Sequence, residues 1–460
     1  MADVCFCGID LGTTNTKAVL VDNAGKCLDS VSMLTGCDQK PDLYGLFARI
    51  MQSFSSKRSI ADSQIVCSIT AQGGSFSLLD EKYQPMSRLY SWTESSANPA
   101  VDSMIQCFGK ENYYRITGWP PNAWLMSSKI KELFSTNQFG NAAYVATLPE
   151  ILHARFFGRF VTDITNAQIT GLCDFQMGQW DPAILNWVGI PETRLPEIES
   201  ELTILADNIQ TEWGSLCFAT SSHDQYAAME AAHLAPHTNL MLATGTAWVI
   251  NIRTEKPIFD DAHVLSHPGR DIRKNEFGNI ITLGPIGRGL EMLLKNFGVD
   301  YPYLNSIESS LPELSPPSAA IDVDMDHGRV RAVDSFPLAV KRYMEWSAAQ
   351  TLFLLELYDY RQGLNRIVMT GGAGASRYWP QVIADITQAE VQVFDFPAFT
   401  AYGAALHARA AYTDRRGCES FFQEAKTTRF FPHDSDIYRH WYEKYQKPYW
   451  KRELTTRNTN

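Results

Sequence analysis

No apolar run in the chain approaches the roughly 18 residues that a membrane-spanning helix needs, so no spanning segment is expected. The opening Met1-Ala2-Asp3-Val4 has no basic segment ahead of an apolar block, and no secretory leader is read there. Cationic residues are in deficit: 40 Lys and Arg stand against 51 Asp and Glu, a net charge of −11. That balance argues against a nucleic-acid footprint and against an anionic membrane surface, both of which need basic faces. The nine cysteines are an odd, scattered set without a Cys-x-x-Cys pair, so the expected setting is reduced and cytoplasmic. No strand runs into Gly-x-Gly-x-x-Gly, which removes a Rossmann dinucleotide site. There is no short repeat and no low-complexity tract.

What remains is an ordinary globular composition, 45% hydrophobic and 20% charged, in a chain of 460 residues that is too long for a single core. Its most informative stretch is Cys7-Gly8-Ile9-Asp10-Leu11-Gly12-Thr13-Thr14-Asn15-Thr16-Lys17. An apolar strand ends in a carboxylate, turns through glycine and threonines, and returns as a second strand. Successive backbone N–H groups in such a turn form a concavity for phosphate oxygens. Asp10, at the strand end, is placed to hold the Mg²⁺ that accompanies a nucleotide.

Three strands are expected over Val4–Ile9, Lys17–Asp22 and Lys26–Met33, then a helix over about 43–54 and a strand over Gln64–Thr70 that opens onto Gln72-Gly73-Gly74. About 230 residues after the first turn, Asn239–Ala243 runs into Thr244-Gly245-Thr246 and a further strand, Ala247–Ile252. Two such units imply two related lobes gripping a phosphate. A third glycine-rich element, Thr370-Gly371-Gly372-Ala373-Gly374-Ala375-Ser376, joins a strand to a helix whose start can approach a nucleotide. The Pro-, Ser- and Asp-rich stretch Leu311–Asp334 reads as a loop spanning the lobes. The basic run Arg439–Arg452, interleaved with tyrosine and tryptophan, reads as the solvated face of a terminal helix.

These elements, in this order and spacing, resemble the FGGY carbohydrate kinases over about Cys5 to Ala411. Gly158 to Ala167, Trp180-Asp181 and Gly189-Ile190-Pro191 are similar to the glycerol- and xylulose-kinase pattern. The resemblance implies an α/β protein of two actin-like, ribonuclease H-like lobes, residues 1–235 and 236–460, with a nucleotide and substrate cleft between them. It implies ATP and Mg²⁺ as cofactors and a small-molecule sugar as partner, with a homodimer kept as an alternative to a monomer. Ser222-His223-Asp224-Gln225-Tyr226-Ala227-Ala228 matches the segment carrying the family's catalytic aspartate, which assigns the base to Asp224 and shares the metal between Asp10 and Asp224. Read locally, Asp224 is instead a good helix N-cap ahead of an alanine-rich segment. Gly12, Thr13, Thr14, Gly245 and Thr246 are implied to cradle phosphates; Gly371, Gly372, Ala373 and Ser376 are implied to meet the adenosine. Lys17 is either a phosphate contact or the lysine of a hairpin arm.

Gln72, Trp92, Trp124, Asp224 and Gln225 are the implied substrate residues. The sequence departs from the resemblance where substrate specificity would be set. Relatives carry Gln-Met-His-Gly or Gln-Arg-Glu where this chain has Gln72-Gly73-Gly74, which is expected to leave room for a longer or differently shaped substrate. The family's Trp-x-Asp-x-Arg becomes Trp92-Thr93-Glu94-Ser95-Ser96, without the arginine. The expected acceptor is a ketose or polyol. An acidic sugar such as an aldonate, met by Lys129 or Arg288, is the alternative, and a non-catalytic sensor of the same superfamily is another.

Overall fold

A computed structural model describes residues 4–36, 41–57, 63–94, 99–220, 222–394, 396, 398–413, 427–433 and 436–457; Ser95 and Ser96 of the motifs above lie outside them. The first lobe is built on β1 (Val4–Leu11), β2 (Asn15–Val21), β3 (Cys27–Leu34) and β4 (Gln64–Ala71), with helix α1 (Leu43–Lys57) between the last two. Strands β5 (Ile204–Thr211), β6 (Gly214–Ala219) and β7 (Ser222–His223) follow the intervening helices and lead into helix α2 (Asp224–Ala231). The seven strands form one sheet in the order β5-β6-β4-β1-β2-β3, with β7 also on β4. Strands β1 to β3 are antiparallel, as their short turns require, whereas β4, β6 and β7 run parallel to β1.

The second lobe repeats the plan with β8 (Asn239–Thr244), β9 (Trp248–Thr254), β10 (Ser266–Arg270), β11 (Phe277–Gly284), β12 (Arg366–Gly371), β13 (Glu390–Phe394) and β14 (Thr427–Phe430). Their order is β10-β11-β9-β8-β12-β13-β14, with β8, β12 and β13 parallel. Helices α3 (Ile286–Phe297), α4 (Phe336–Leu357) and α5 (Tyr378–Thr387) cover its outer face. Helix α6 (Phe399–Thr413) belongs to the other face: with α2 it fills the space between the two sheets, and one apolar cluster there draws on Phe6, Val66, Met229, Met241, Val368 and Leu406. Two glycines make this possible. A Cβ on Gly8 would overlap the backbone of Ala401 and Ala405, and one on Gly403 would overlap the Ala227 carbonyl.

Two expectations need correction. Leu311–Asp334 does not span the lobes: it holds the end of a 3₁₀ turn (Glu308–Glu313) and a small hairpin (Val323–Asp324 with Arg329–Val330), and Leu311, Ile321 and Val330 are buried in the second lobe's core. The terminal basic run is also more than a solvated face. Lys451 and Arg452 are exposed, but helix α7 (Lys447–Arg457) and the turns before it bury Trp441, Tyr442, Trp450 and Leu454 in the same core. Among the described residues no helix is long and apolar enough to cross a membrane.

Candidate active site

Parallel strands bring their carboxyl ends to one edge, and a crevice outside those ends is where an open α/β sheet binds ligands. In the first lobe Asp10 is paired with Thr70 and Thr70 with Ser222, so Asp10, Gln72 and the His223–Asp224 corner come together at one level. In the second lobe Thr244 is paired with Gly371, which sets Gly245-Thr246 beside the Gly371–Ala375 turn. Gly371 is needed there: its φ is +93° and a Cβ would lie 2.6 Å from the Thr244 carbonyl oxygen. The two edges face each other across a cleft of about 1120 Å³ lined by both.

Asp224 opens helix α2, but the N-cap position is His223, and no side chain caps the helix. The carboxylate points toward the cleft instead, with Oδ1 3.3 Å from His223 Nε2. Asp10 stands near it. Burial first, and then the Asp224 charge, push the Asp10 carboxyl up to about 8, while Lys17 pulls the other way. Lys17 lines the cleft on the same side.

The first-lobe end of the cleft carries unsatisfied polarity. Thr13 Oγ1 donates to Gln72 Oε1 at 2.6 Å, which fixes the amide so that Nε2 faces away from Thr13. Gln72 Nε2 and His223 Nδ1 are both buried without a hydrogen-bond partner, on residues only 4% and 5% exposed. An orphaned buried group costs about 1–3 kcal/mol, and a ligand that satisfies it recovers that cost. Around these groups stand Trp92, Trp119, Trp124 and Ile169. Trp119 meets Trp124 edge-on at 5.2 Å and stacks at 4.3 Å on His267, which comes from the second lobe. Burial pushes His267 down to about 4, so it stays a neutral ring in that stack.

The chain matches the N-terminal domain of the FGGY family of carbohydrate kinases over residues 5–229 and the C-terminal domain over residues 347–412. The chain belongs to this family. As a carbohydrate kinase it is 22% identical to a rhamnulokinase of Pectobacterium carotovorum over 410 residues, spanning 81% of this chain and 80% of the relative. It is 21% identical to a xylulose kinase of Haemophilus influenzae over 96% of this chain and 98% of that one. The fold is that of xylulose kinase from Rhodospirillum rubrum, with a TM-score of 0.85 at 17% identity over 99% of this chain and all of the other.

Within the kinase's cleft lie Asp10, Gly12, Thr13, Gln72, Trp92, Trp124, Asp224, Gln225, Gly245, Thr246 and Gly371. Four residues read as ligand-facing are not among those lining it. Thr14 is exposed, its carbonyl accepting from the Thr35 N–H. Gly372 is exposed with open space beside its Cα, Ala373 is buried in the second lobe's core, and the Ser376 hydroxyl accepts from the Trp379 N–H to start α5. Gly374 and Ala375 line the cleft in their place.

Thr13 spends its hydroxyl on Gln72, tying the Gly12–Thr14 turn to the tryptophan-lined end of the cleft. The space beside Gly73 is not vacant for a longer substrate, because a Cβ there would overlap the His223 ring, which occupies it. Neither Lys129 nor Arg288 lines the cleft. Lys129 Nζ donates to the Ser91 carbonyl at 2.5 Å, and Arg288 is an exposed residue whose N–H bonds the Thr246 carbonyl.

His223 and Trp119 are the residues sequence reasoning passed over. His223 adjoins the aspartate in sequence, but its unpartnered nitrogen appears only when β7 is set on β4. Trp119, in Gly118-Trp119-Pro120-Pro121, reads as loop, and its partner His267 is 148 positions away.

Proposed function

We propose that this kinase transfers the γ-phosphoryl group of ATP, the donor used by its family, to a hydroxyl of a neutral ketose or polyol, with Asp224 as general base. The observation that carries this reading is the juxtaposition of the Asp224 carboxylate with Gln72 and His223, each holding one buried unpartnered nitrogen, in a cleft end walled by tryptophans. Aromatic faces pack on the C–H faces of sugars, and the orphaned atoms match hydroxyls. Among the described residues lining the cleft, Lys17 is the one lysine or arginine, and it stands beside Asp10. No cation faces the tryptophans, which favours a neutral acceptor over an aldonate.

Phosphoryl transfer needs positioning, charge neutralisation and a base for the attacking hydroxyl. An Asp224 carboxylate oxygen accepts the hydroxyl proton as the loose transition state forms. Gln72 donates to one substrate hydroxyl through Nε2, and His223 Nδ1 bonds a second. The N–H groups of Gly12 and Gly245 and the Thr246 hydroxyl meet phosphate oxygens. The carboxylates of Asp10 and Asp224 would fit a Mg²⁺ brought with the nucleotide: burial and then the Asp224 charge raise the Asp10 carboxyl, Lys17 opposes them, and a cation there would offset both. When bound, that ion supplies charge neutralisation on the β- and γ-phosphates. Approach of the lobes excludes water from the transfer.

An ATP-consumption panel of ketoses, polyols, glycerol and aldonates tests the reading. A neutral ketose or polyol is expected to be best. Gluconate or another aldonate as the best acceptor would overturn it.

The side chains at the sugar end make graded predictions. His223→Ala and Gln72→Ala each remove one hydrogen bond, so the KM for the sugar should rise about 3- to 10-fold, the worth of roughly 1 kcal/mol. Trp92→Ala and Trp124→Ala should raise the sugar KM with less effect on the KM for ATP. Steady-state kinetics with each substrate varied in turn checks both; unchanged sugar KM values in the tryptophan variants would remove the aromatic walls from the pocket.

A further inference from the structure

Outside the cleft lining, a cluster of buried charge joins β9 to α2. Arg253 of β9 is fully buried; it bonds Glu230 of α2 through Nη2 at 3.1 Å and Asp271 through Nε at 2.8 Å. Arg273 Nη2 reaches Glu230 at 2.6 Å. Burial alone would raise the Glu230 carboxyl, yet Arg273 and Arg253 hold it well below the usual carboxylate range. Two residues back on the same face of β9, Asn251 Nδ2 donates to Gln225 Oε1 at 3.1 Å, next to Asp224. Strand β9 therefore grips α2 at two points, one at each end of the helix.

The spacing of these points limits sliding. Residues 251 and 253 are separated by about 6.6 Å along a strand, and residues 225 and 230 by about 7.5 Å along a helix. The two rises are similar, and both bonds are present together, so sliding the helix along the strand would break at least one of them. At its other end β9 returns directly from the Gly245-Thr246 turn, since Trp248 is paired with Thr244.

We propose that Asn251 and Arg253 are positioning residues, and that the face of β9 carrying them sets where the Asp224 carboxylate stands relative to the Gly245–Thr246 phosphate turn. This rests on the kinase reading above with Asp224 as base. Neither residue touches the acceptor or the phosphates. Their contribution is the distance between base and phosphoryl group, on which in-line attack depends steeply: a misplacement of about 1 Å costs on the order of 10²-fold in rate.

The test uses Asn251→Leu, which keeps the branching and the number of heavy atoms and removes the bond to Gln225, and Arg253→Lys, which keeps the charge and loses the two-pronged grip. Each is expected to lower kcat about 10- to 100-fold while both KM values stay within about twofold. Nucleotide affinity by calorimetry should be unchanged. A purely structural role would move melting temperature and both KM values with kcat. Where Arg253→Lys fails to fold, Asn251→Leu decides alone.

Wild-type kcat in Asn251→Leu, or a kcat loss matched by rises in both KM values, overturns the proposal. Asp224→Asn measured in the same assay separates the two readings. Persistent turnover in Asp224→Asn removes the base and the positioning together. An inactive Asp224→Asn beside a fully active Asn251→Leu removes the positioning alone.

Discussion

Asp224→Asn is expected to lower kcat by roughly 10²-fold or more, the range usual for lost acid–base catalysis, while ATP affinity measured by calorimetry stays near that of the unaltered kinase. The amide keeps the size of the carboxylate and can still face the His223 ring, so packing at the start of α2 is preserved. What it cannot do is accept the proton of an attacking hydroxyl. Near-normal turnover would show that the proton leaves by another route. Asp10→Ala is expected to divide its effects the other way, weakening the use of MgATP strongly and sugar binding little. A collapse of sugar affinity with unaltered Mg²⁺ dependence would contradict that division.

Gly403→Val is expected to destabilise the protein by about 3 kcal/mol, the upper end of ordinary overpacking costs. Intrinsic propensity points the other way, because glycine is the poorer helix former by several tenths of a kcal/mol. Packing should win, since the new Cβ would overlap the Ala227 carbonyl, which is backbone and cannot swing aside. Helix α2 would have to move, and Asp224 with it, so activity should fall beyond the loss of folded protein. The midpoint of denaturant unfolding measures the effect; an unchanged or higher midpoint would mean that α2 and α6 adjust freely.

Much of the fold was legible because short continuous apolar runs bounded by glycine and threonine leave few alternatives. The expected strands at Val4–Ile9, Gln64–Thr70 and Asn239–Ala243 differ from β1, β4 and β8 by one or two residues at their ends. The glycine turns were legible for the same reason, since a turn that must pass close to another strand announces itself by lacking a side chain. What was not legible depends on contacts between distant segments. That Thr13 would bond Gln72, that His223 would occupy the space beside Gly73, and that Trp119 would stack on His267 are consequences of sheet order and lobe contact. Ser376 lies outside the cleft lining for a related reason: a hydroxyl ahead of a helix can accept from one of its first N–H groups as readily as meet a ligand.

The position of helix α6 has a consequence for how the chain comes to be folded. Residues 399–413 lie directly on β1, β2 and β4, with Tyr402 bonded to the Gly25 carbonyl and Arg409 to that of Asn23. During synthesis the amino-terminal sheet, complete at residue 223, therefore emerges with one apolar face covered only by α2 and waits for about 175 residues before α6 arrives. At about 5–20 residues per second that interval lasts on the order of tens of seconds, long enough for chaperones to engage the face or for nascent chains to associate through it. A fragment ending near residue 235 would keep α2 but lack α6, leaving part of that face exposed indefinitely. The two lobes repeat one plan, but the first is finished by the last long stretch of the second.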